Sequence, residues 1–349
     1  MKISIMGASG YTGGELIRLL LNHSKLEIAH LTSRQYKGEY VYRVHPNLRG
    51  LTSLQFIDHD LERVIQDSDL IFTAVPHGTA VKIIPKIVER GIRVIDFSAD
   101  FRLKNSEDYR LWYNYEHPHP ELLEKFVYGI PELYREEIRR AKFVSNPGCM
   151  AISSILALAP IVKENLVEDR IIVDAKIASS GSGGKPSLFT HYSERYNVVR
   201  PYKLVNHRHT AEIEQELSKL NKKKLKICMS PHAVNMVRGI LVTCHSFSKE
   251  NINLSRLWKA YRSFYANEPF IRLIKDKKGL YRYPDPKMII GSNFCDLGFD
   301  YDERSKRIVS LGALDNLIKG ASGNALQCMN LMLGFDEREG LNLPALHPL

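Results

Sequence analysis

Short apolar runs alternate with amphipathic segments through the first part of the chain. Runs with the length and continuous apolar character of strands buried on both faces occur at residues 2–6, 27–31, 69–75 and 92–97. Apolar residues recur with helical spacing after the first run and again over 79–90, where Pro85 predicts a kink. This alternation of strand and helix predicts a parallel, doubly wound α/β sheet of the Rossmann type.

The hydrophobic pattern changes near residue 148. Later strands are predicted at residues 170–179, 226–230, 238–247, 289–297 and 307–314. Because fewer helices separate them, we expect a mixed or antiparallel sheet with helices on one face. Residues 105–124 are polar and aromatic without clear periodicity and predict a long excursion over the surface. Apolar residues at helical spacing over 316–335 predict a last helix that packs on the first domain.

We predict two domains, because a chain of 349 residues is too long for one ordinary core. The first is a nucleotide-binding domain of residues 1–148, completed by residues 316–349. The second is an α+β catalytic and oligomerisation domain of residues 149–315.

A glycine-rich turn follows the first strand and opens the first helix. In that context, glycines let backbone N–H groups approach a pyrophosphate at the helix N-terminus. The residues expected to bind a dinucleotide cofactor here are Gly7, Ser9, Gly10, Tyr11, Thr12 and Gly13.

The end of the second strand bears on the choice of cofactor. Enzymes that use NAD usually carry an acidic residue there, whereas this chain has Ser33, Arg34, Gln35 and Tyr36. Arg34 would attract a 2′-phosphate, so the sequence favours NADP(H), although an ordinary exposed arginine remains the alternative. Pro76 closes the next strand at its carboxyl end and is also expected to line the cofactor site.

A single cysteine is predicted at the start of a helix near the middle of the chain. Asn146 is a favourable N-cap and Pro147 suits the first helical position, which places Cys149 in the first turn. The positive end of the helix favours a thiolate, so Cys149 is a candidate nucleophile. A buried cysteine that packs as a small hydrophobic residue is the alternative.

Other polar candidates lie in predicted loops or at a helix start. Ser180 and Gly181 belong to a glycine-rich loop that could cradle an anionic substrate group. His207 and His209 precede a helix and are candidate general acids and bases, with a solvent-exposed helix start as the alternative. Arg102 follows a strand of the first sheet and is as compatible with a salt bridge as with ligand binding.

Composition and charge limit the class of protein. The hydrophobic fraction of 44% and charged fraction of 25% predict a water-soluble globular protein without a membrane span. An early first strand leaves no room for a signal peptide, and five cysteines without CxxC spacing suggest a reducing cytoplasm. The net charge of +10 suggests an acidic ligand or partner. We find no motif for nucleic-acid binding and predict no metal site.

Four blocks, in this order along the chain, resemble the semialdehyde dehydrogenases that reduce N-acetyl-γ-glutamyl phosphate. They are residues 7–13, 146–149, 207–209 with the glutamates that follow, and 315–321. The resemblance implies that Cys149 attacks an acyl phosphate to give a thioester, which NADPH reduces to a semialdehyde. It also implies that His209 transfers the proton, that Arg102 binds phosphate and that Asn316 lies near the nicotinamide. A homodimer or homotetramer is expected.

Residues 180–195 and 231–239 look more like the lysine-biosynthesis branch of this family. Substrates of that branch are 2-aminoadipyl or glutamyl phosphates attached through the amine to a small acidic carrier protein of the LysW type. Arg238 is expected to bind substrate, and its spacing to His245 resembles the catalytic pair of aspartate-semialdehyde dehydrogenases. Two alternatives remain open: the ordinary N-acetyl-γ-glutamyl-phosphate reductase of the arginine pathway, and an NADP-binding redox-sensing regulator without catalysis.

Overall fold

A computed structural model of the chain describes residues 1–348, which form two compact units. The first unit comprises Met1–Pro147 and Ala321–Asn342, and the second comprises Gly148–Gly320 and most of the C-terminal segment from Leu343. Gly148, residues 316–320 and residues 343–348 therefore belong to the second unit, not to the first as the sequence suggested. Among the described residues, no helix is long and apolar enough to cross a membrane.

The elements are numbered in chain order. The strands are β1 (Lys2–Met6), β2 (Glu27–Thr32), β3 (Leu70–Thr73), β4 (Arg93–Asp96), β5 (Val127–Tyr128), β6 (Phe143–Ser145), β7 (Arg170–Ile177), β8 (Val199–Pro201), β9 (Lys226–Val234), β10 (Ile240–Phe247), β11 (Ile271–Leu273), β12 (Cys295–Asp302) and β13 (Arg307–Leu314). The α-helices are α1 (Tyr11–Leu20), α2 (Val41–Val44), α3 (Leu61–Gln66), α4 (Ala80–Glu89), α5 (Ser106–Tyr113), α6 (Pro120–Leu123), α7 (Pro131–Arg140), α8 (Cys149–Lys163), α9 (Tyr192–Arg195), α10 (His209–Asn221), α11 (Leu254–Phe264) and α12 (Gly323–Met332).

The first unit contains a six-stranded parallel sheet in the order β2-β1-β3-β4-β6-β5, as predicted for a doubly wound fold. The apolar runs that predicted its strands are buried: all four residues of β3 and four of the five in β1 are inaccessible. The strand order reverses at β1, because the chain places β2 on one side of it and β3 on the other. Ligands of open parallel sheets bind at the carboxyl ends of strands at such a point.

Two expectations for the first unit need revision. Residues 105–124, predicted as a surface excursion, contain α5 and α6, and the Tyr109 ring is completely buried among other aromatic rings. The aromatic residues that obscured helical periodicity in this stretch are the ones that anchor it. Helix α4 runs through Pro85 as a single element, with the proline in its second turn.

The second unit contains a seven-stranded mixed sheet in the order β11-β12-β13-β10-β7-β9-β8. Burial alternates along its strands, so that every second residue of β7 and β10 is inaccessible. Helix α8 packs against β10 and β13 on the buried face, and α10 and α11 pack against α8. The predicted mixed sheet with helices on one face is therefore confirmed.

The sequence misplaced several elements of the second unit. Of the predicted strand at 289–297, residues 289–294 form turns and bends that follow a short 3-10 helix at Pro286–Met288, and β12 begins only at Cys295. Ile289 is fully buried without lying in a strand, which explains why its apolar run was misleading. The predicted helix at 316–335 is a π-helical turn, Ile318–Ser322, followed by the shorter α12. Helix α11 and strands β8 and β11 had not been predicted.

Candidate active site and family

The glycine-rich turn of the first unit has the geometry that a dinucleotide needs. Gly7 adopts φ = +83°, and a Cβ there would collide with the carbonyl oxygen of Ala74. A Cβ on Gly13 would lie 2.5 Å from the carbonyl oxygen of Ala8, so this glycine allows helix α1 to approach the turn. By contrast, a Cβ on Gly10, the N-cap of α1, would meet nothing within 4 Å. The space at the helix N-terminus is therefore open, which fits a cofactor pyrophosphate.

The end of β2 lies beside this turn. The hydroxyl of Ser33 donates a 3.0 Å hydrogen bond to that of Ser9 and accepts one from the backbone N–H of Tyr36. Arg34 and Gln35 are exposed. The pKa of His59 is lowered mainly by burial and secondly by the positive charge of Arg34. The Arg34 guanidinium therefore lies near that imidazole.

Two side chains that follow the carboxyl ends of β3 and β4 have structural partners. After Pro76, the Nδ1 of His77 accepts a hydrogen bond from the backbone N–H of Ala99, so His77 caps the loop. Arg102 is 5% exposed and donates from Nε to the carbonyl of Asn146 and from Nη2 to that of Phe97, both at 2.8 Å. Arg102 thus fixes the backbone three residues before Cys149.

Helix α8 begins at Cys149 in the second unit, as a nucleophile at a helix N-terminus requires. The predicted cap was wrong: the N-cap is Gly148, with extended backbone angles and no side-chain capping bond. The side chain of Asn146 instead accepts a 2.9 Å hydrogen bond from Asn324 within the first unit. Cys149 is partly exposed, whereas Met150–Val162 are all buried, so the thiol lies at the accessible end of a core helix.

A buried carboxylate replaces the missing side-chain cap. Glu212 is inaccessible to solvent and accepts a 2.9 Å hydrogen bond from the backbone N–H of Gly148. Its other oxygen lies 3.9 Å from Nε2 of His209, one turn earlier on α10. A Cβ on Gly148 would collide with the His209 ring and come within 2.9 Å of Glu212. Glycine is required here because the imidazole and the carboxylate occupy the space of a side chain.

His207 supports His209. Its Nδ1 accepts a hydrogen bond of 3.2 Å from the backbone N–H of His209, and the two ring centroids are 4.7 Å apart. Burial, with smaller contributions from Arg208 and Lys203, lowers the pKa of His207 to about 4. His207 is therefore neutral near pH 7 and orients the start of α10. Of the two predicted histidines, His209 is the one that lies against the N-terminus of α8.

Ser180 and Arg238, which were predicted to bind substrate, lie in one bonded group with Asn316, which the resemblance placed near the nicotinamide. The side chain of Asn316 donates to the hydroxyl of Ser180 at 2.9 Å and accepts from the N–H of Gly239 at 2.7 Å. Arg238 pairs with the buried Asp315, with Nη2 to Oδ2 at 3.0 Å. This group fixes the Ser180–Gly181 loop to the start of β10. Both the oxygen and the nitrogen of the Asn316 side-chain amide are therefore bonded to residues of this unit.

His245 is placed differently from His209. It lies five residues into β10, a rise of about 17 Å from the strand start. Burial is the main effect that lowers the pKa of His245. The charges of Arg307 and Lys176 lower this pKa further, whereas the charge of Asp174 raises it. These neighbours belong to the half-exposed face of the mixed sheet. The Arg238–His245 spacing therefore does not bring this histidine to the start of α8.

Sequence reasoning missed two residues that contact the cysteine region. The sequence did not distinguish Glu212 from the other glutamates of α10. Its position three residues after His209 could have indicated it, because that spacing puts both side chains on one helical face. Gly320, in the π-helical turn, packs so closely that its Cβ would lie 2.9 Å from that of Cys149. Only the family resemblance of residues 315–321 pointed to this glycine.

Comparison with known proteins places this geometry in a family. Residues 2–141 match the model described as "Semialdehyde dehydrogenase, NAD binding domain", and residues 149–316 match "Semialdehyde dehydrogenase, dimerisation domain". The open glycine turn agrees with the first description, and the first unit binds a nicotinamide dinucleotide.

Curated relatives match over the full length of the chain. The LysW-L-2-aminoadipate/LysW-L-glutamate phosphate reductase of Saccharolobus solfataricus is 47% identical, covering 100% of this chain and 99% of the relative. Proteins of Cenarchaeum symbiosum and Nitrosopumilus maritimus, which carry the same name provisionally, are 56% and 54% identical, covering 100% of both chains.

Solved structures with the same fold are more distant in sequence. Aspartate semialdehyde dehydrogenase II of Vibrio cholerae, complexed with ASA, superimposes with a TM-score of 0.73 at 17% identity. It covers 95% of this chain and 98% of that chain. The enzyme of Candida albicans with NADP gives 0.70 at 15% identity, with 95% and 98% covered. Together with the full-length relatives, these matches show that the chain belongs to the semialdehyde dehydrogenase family, among its acyl-phosphate reductases.

Proposed function

We propose that this protein catalyses the NADPH-dependent reduction of 2-aminoadipyl phosphate, glutamyl phosphate or both, carried on a small acidic LysW-type protein, to the corresponding semialdehyde. The observation that carries the proposal is the group of Cys149, Gly148, His209 and Glu212 at the start of α8. The full-length relatives named as reductases of such substrates support the substrate class.

The chemistry follows from the positions of the side chains. The Cys149 thiolate attacks the acyl carbon, the bond from that carbon to the phosphate oxygen breaks, and phosphate leaves as the thioester forms. The nicotinamide supplies a hydride when it is bound. His209 then gives a proton to the oxygen of the resulting thiohemiacetal and takes it back as the C–S bond breaks and the aldehyde departs. Glu212 favours the protonated imidazole before the proton is given and after it is taken back, because its oxygen lies 3.9 Å away.

We propose NADP(H) as the cofactor because of Arg34. It is exposed at the end of β2, one residue after Ser33, which is bonded to the glycine turn through Ser9. A guanidinium at this point favours a 2′-phosphate, whereas an acidic residue would favour the ribose hydroxyls of NAD.

The carrier part of the proposal is supported by a surface of the second unit, which we call the 185–208 segment. Six apolar or aromatic side chains of this segment are more than 60% exposed. They are Leu188, Phe189, Tyr192, Val199, Leu204 and Val205. Exposed apolar patches rimmed by charge are typical of protein interaction sites. The segment contains five arginines and lysines but only one acidic residue, Glu194. An acidic carrier would complement it.

The oligomeric state and location are part of the same proposal. The second unit matches a dimerisation domain, and alternate residues of its strands β7 and β10 are partly exposed, with Ile172 44% exposed. We propose a homodimer or homotetramer built on this unit. All five cysteines are free, which fits a reducing cytoplasm.

The deciding experiment compares kcat/KM for carrier-linked 2-aminoadipyl phosphate, carrier-linked glutamyl phosphate and free N-acetylglutamyl phosphate. Each is measured with NADPH at low and high salt. We expect the carrier-linked substrates to be preferred and their kcat/KM to fall steeply with salt, because screening beyond about 10 Å at 0.1 M weakens steering. A clear preference for the free acetylated compound would instead identify the ordinary arginine-pathway enzyme. Binding of NADPH without turnover of any acyl phosphate would identify a redox sensor.

A further inference from the structure

Arg195, at the end of α9, is a buried cation that lacks a carboxylate partner. Its side chain is 9% exposed, and its single hydrogen bond from the guanidinium runs from Nη2 to the carbonyl of Ile177 at 2.9 Å. The Nε atom is inaccessible and has no partner among residues 1–348. Removing a charge from water without pairing it costs several kcal/mol, so such an arginine needs a reason to be there.

The neighbouring sequence offers no counter-ion for Arg195. Between Asp174 and Glu212 there are six lysines and arginines and one acidic residue, Glu194. Glu194 pairs with Arg200 at 3.8 Å, and Arg200 also donates to the Glu194 carbonyl at 2.9 Å. No acidic side chain of the described residues lies within ion-pair distance of Arg195, which therefore keeps a free positive charge.

The position of Arg195 links it to the candidate active site of the same unit. Ile177, whose carbonyl it binds, ends β7 and leads into the loop of Ser180 and Gly181, and a Cβ on Gly181 would lie 2.7 Å from the Ile177 side chain. Tyr202 is on the other side: its pKa is raised by burial and then by the charge of Cys149, and lowered by Arg208 and Arg195. Tyr202 is thus within electrostatic reach of both Arg195 and the nucleophile.

Ring contacts continue from Tyr202 to the helix start. Its ring centroid lies 6.0 Å from that of His207, which in turn is 4.7 Å from that of His209. The 185–208 segment therefore brings a buried, unpaired guanidinium to the same side of the unit as Cys149.

We propose that Arg195 is an anion-binding residue that holds an oxyanion group of the acyl-phosphate substrate, either its phosphate or its carboxylate. A guanidinium presents several N–H groups in a plane that matches two oxygens of either group, and no carboxylate of the described residues is paired with those of Arg195. The inference rests on the proposed function for the identity of the ligand, but not for the existence of the anion site.

The first test needs no turnover. Alkylation of Cys149 is measured with iodoacetate, an anion, and with iodoacetamide, its neutral analogue, in the full-length protein. The variants are R195Q, R195K and the control R200Q, which removes a charge from the same segment. We expect R195Q to lower the iodoacetate rate about 10-fold or more while leaving the iodoacetamide rate unchanged, R195K to retain most of the difference, and R200Q to have little effect. Equal loss with both reagents, or none, would refute the site.

The second test identifies the group that is bound. In the reverse direction, wild type and R195Q oxidise the semialdehyde with NADP and inorganic phosphate. A phosphate role raises KM for phosphate alone, and a carboxylate role raises KM for the semialdehyde alone, each by about 10- to 100-fold with a smaller change in kcat. Unchanged KM for both refutes the inference. If wild type oxidises no semialdehyde, the proposed function fails while the alkylation ratio still decides the anion site. If R195Q does not fold, inorganic phosphate is tested as a protecting anion in the wild type: it should slow the alkylation of Cys149 by iodoacetate more than that by iodoacetamide, and equal or absent protection refutes the site.

Discussion

The backbone N–H of Gly148 donates a 2.9 Å hydrogen bond to the buried carboxylate of Glu212. Through this bond, α10 caps the helix that presents Cys149, and the same carboxylate faces His209. One side chain therefore connects the helix of the proposed nucleophile to the proposed acid–base residue. A negative charge at a helix N-terminus stabilises the helix and also favours a protonated imidazole nearby.

Glu212→Gln should keep an oxygen for the Gly148 N–H but remove the charge beside His209. We expect kcat to fall about 10- to 100-fold and the alkaline limb of the kcat/KM profile to move to lower pH, because an imidazolium without its carboxylate neighbour loses its proton at lower pH. Glu216→Gln is the matched control, since Glu216 is equally buried on α10 and bonds to Lys219. An unchanged profile in Glu212→Gln would contradict the assignment.

Cys149→Ser should still bind NADPH but lose turnover by about a thousandfold or more, because serine is a far weaker nucleophile at neutral pH. Steady-state rates and NADPH titration measure the two properties. Cys228→Ser is an exposed control that should leave both unchanged, and the buried Cys244, Cys295 and Cys328 should tolerate serine with modest losses of stability. Near-wild-type turnover in Cys149→Ser would remove the thioester mechanism.

His209→Asn should lower kcat about 100-fold or more, because the side chain against the start of α8 can no longer transfer a proton. His245→Asn should retain rate and pH profile, since its neighbours are Arg307, Asp174 and Lys176. Rate–pH profiles of both variants check this. The opposite result would assign the acid–base role to His245 and bring the enzyme closer to the aspartate-semialdehyde group.

Arg34→Asp should weaken or reverse the preference for NADPH over NADH. A charge-assisted contact to the 2′-phosphate contributes about 1.5–3 kcal/mol, or roughly 10- to 150-fold in kcat/KM. The ratio of kcat/KM values for the two cofactors, in wild type and variant, is the measurement. Lys37→Asp, which changes a nearby exposed cation paired with Asp58, is the control. Equal values for both cofactors in the wild type would count against the prediction.

The folded protein should lose stability on mild acidification through His207. Its pKa is about 4 in the fold against an ordinary value of 6.5, so the stabilisation is present above 6.5 and disappears as pH falls toward 4. The loss amounts to about 3 kcal/mol. His207→Asn keeps an acceptor for the His209 N–H but does not titrate. Denaturant unfolding at several pH values should show a shallower pH dependence in the variant, and identical dependence would disprove the assignment.

The parallel sheet and the glycine turn could be predicted because continuous apolar runs and glycine spacing are local properties. The cap of α8 could not, because Asn146 and Pro147 have favourable local propensities while the actual cap comes from Glu212, 64 residues later. The proposed role of Arg195 could not be predicted either, because neither its burial nor the pairing of Glu194 with Arg200 follows from the sequence. The strand predicted from Ile289 onward was wrong for the converse reason. An apolar residue can be buried in a turn as well as in a strand, and Ile289 is buried in a turn.

The first unit is completed by residues that follow the long continuous stretch of the second, Gly148–Gly320. Helix α12 packs against α7 and α1, and the amide of Asn324 donates to the carbonyl of Gly129 at 2.6 Å within that unit. During synthesis on the ribosome, the N-terminal sheet therefore emerges long before the helix that completes its unit. The continuous stretch from Gly148 to Gly320 emerges between these two parts, and only the short piece of the second unit from Leu343 follows them.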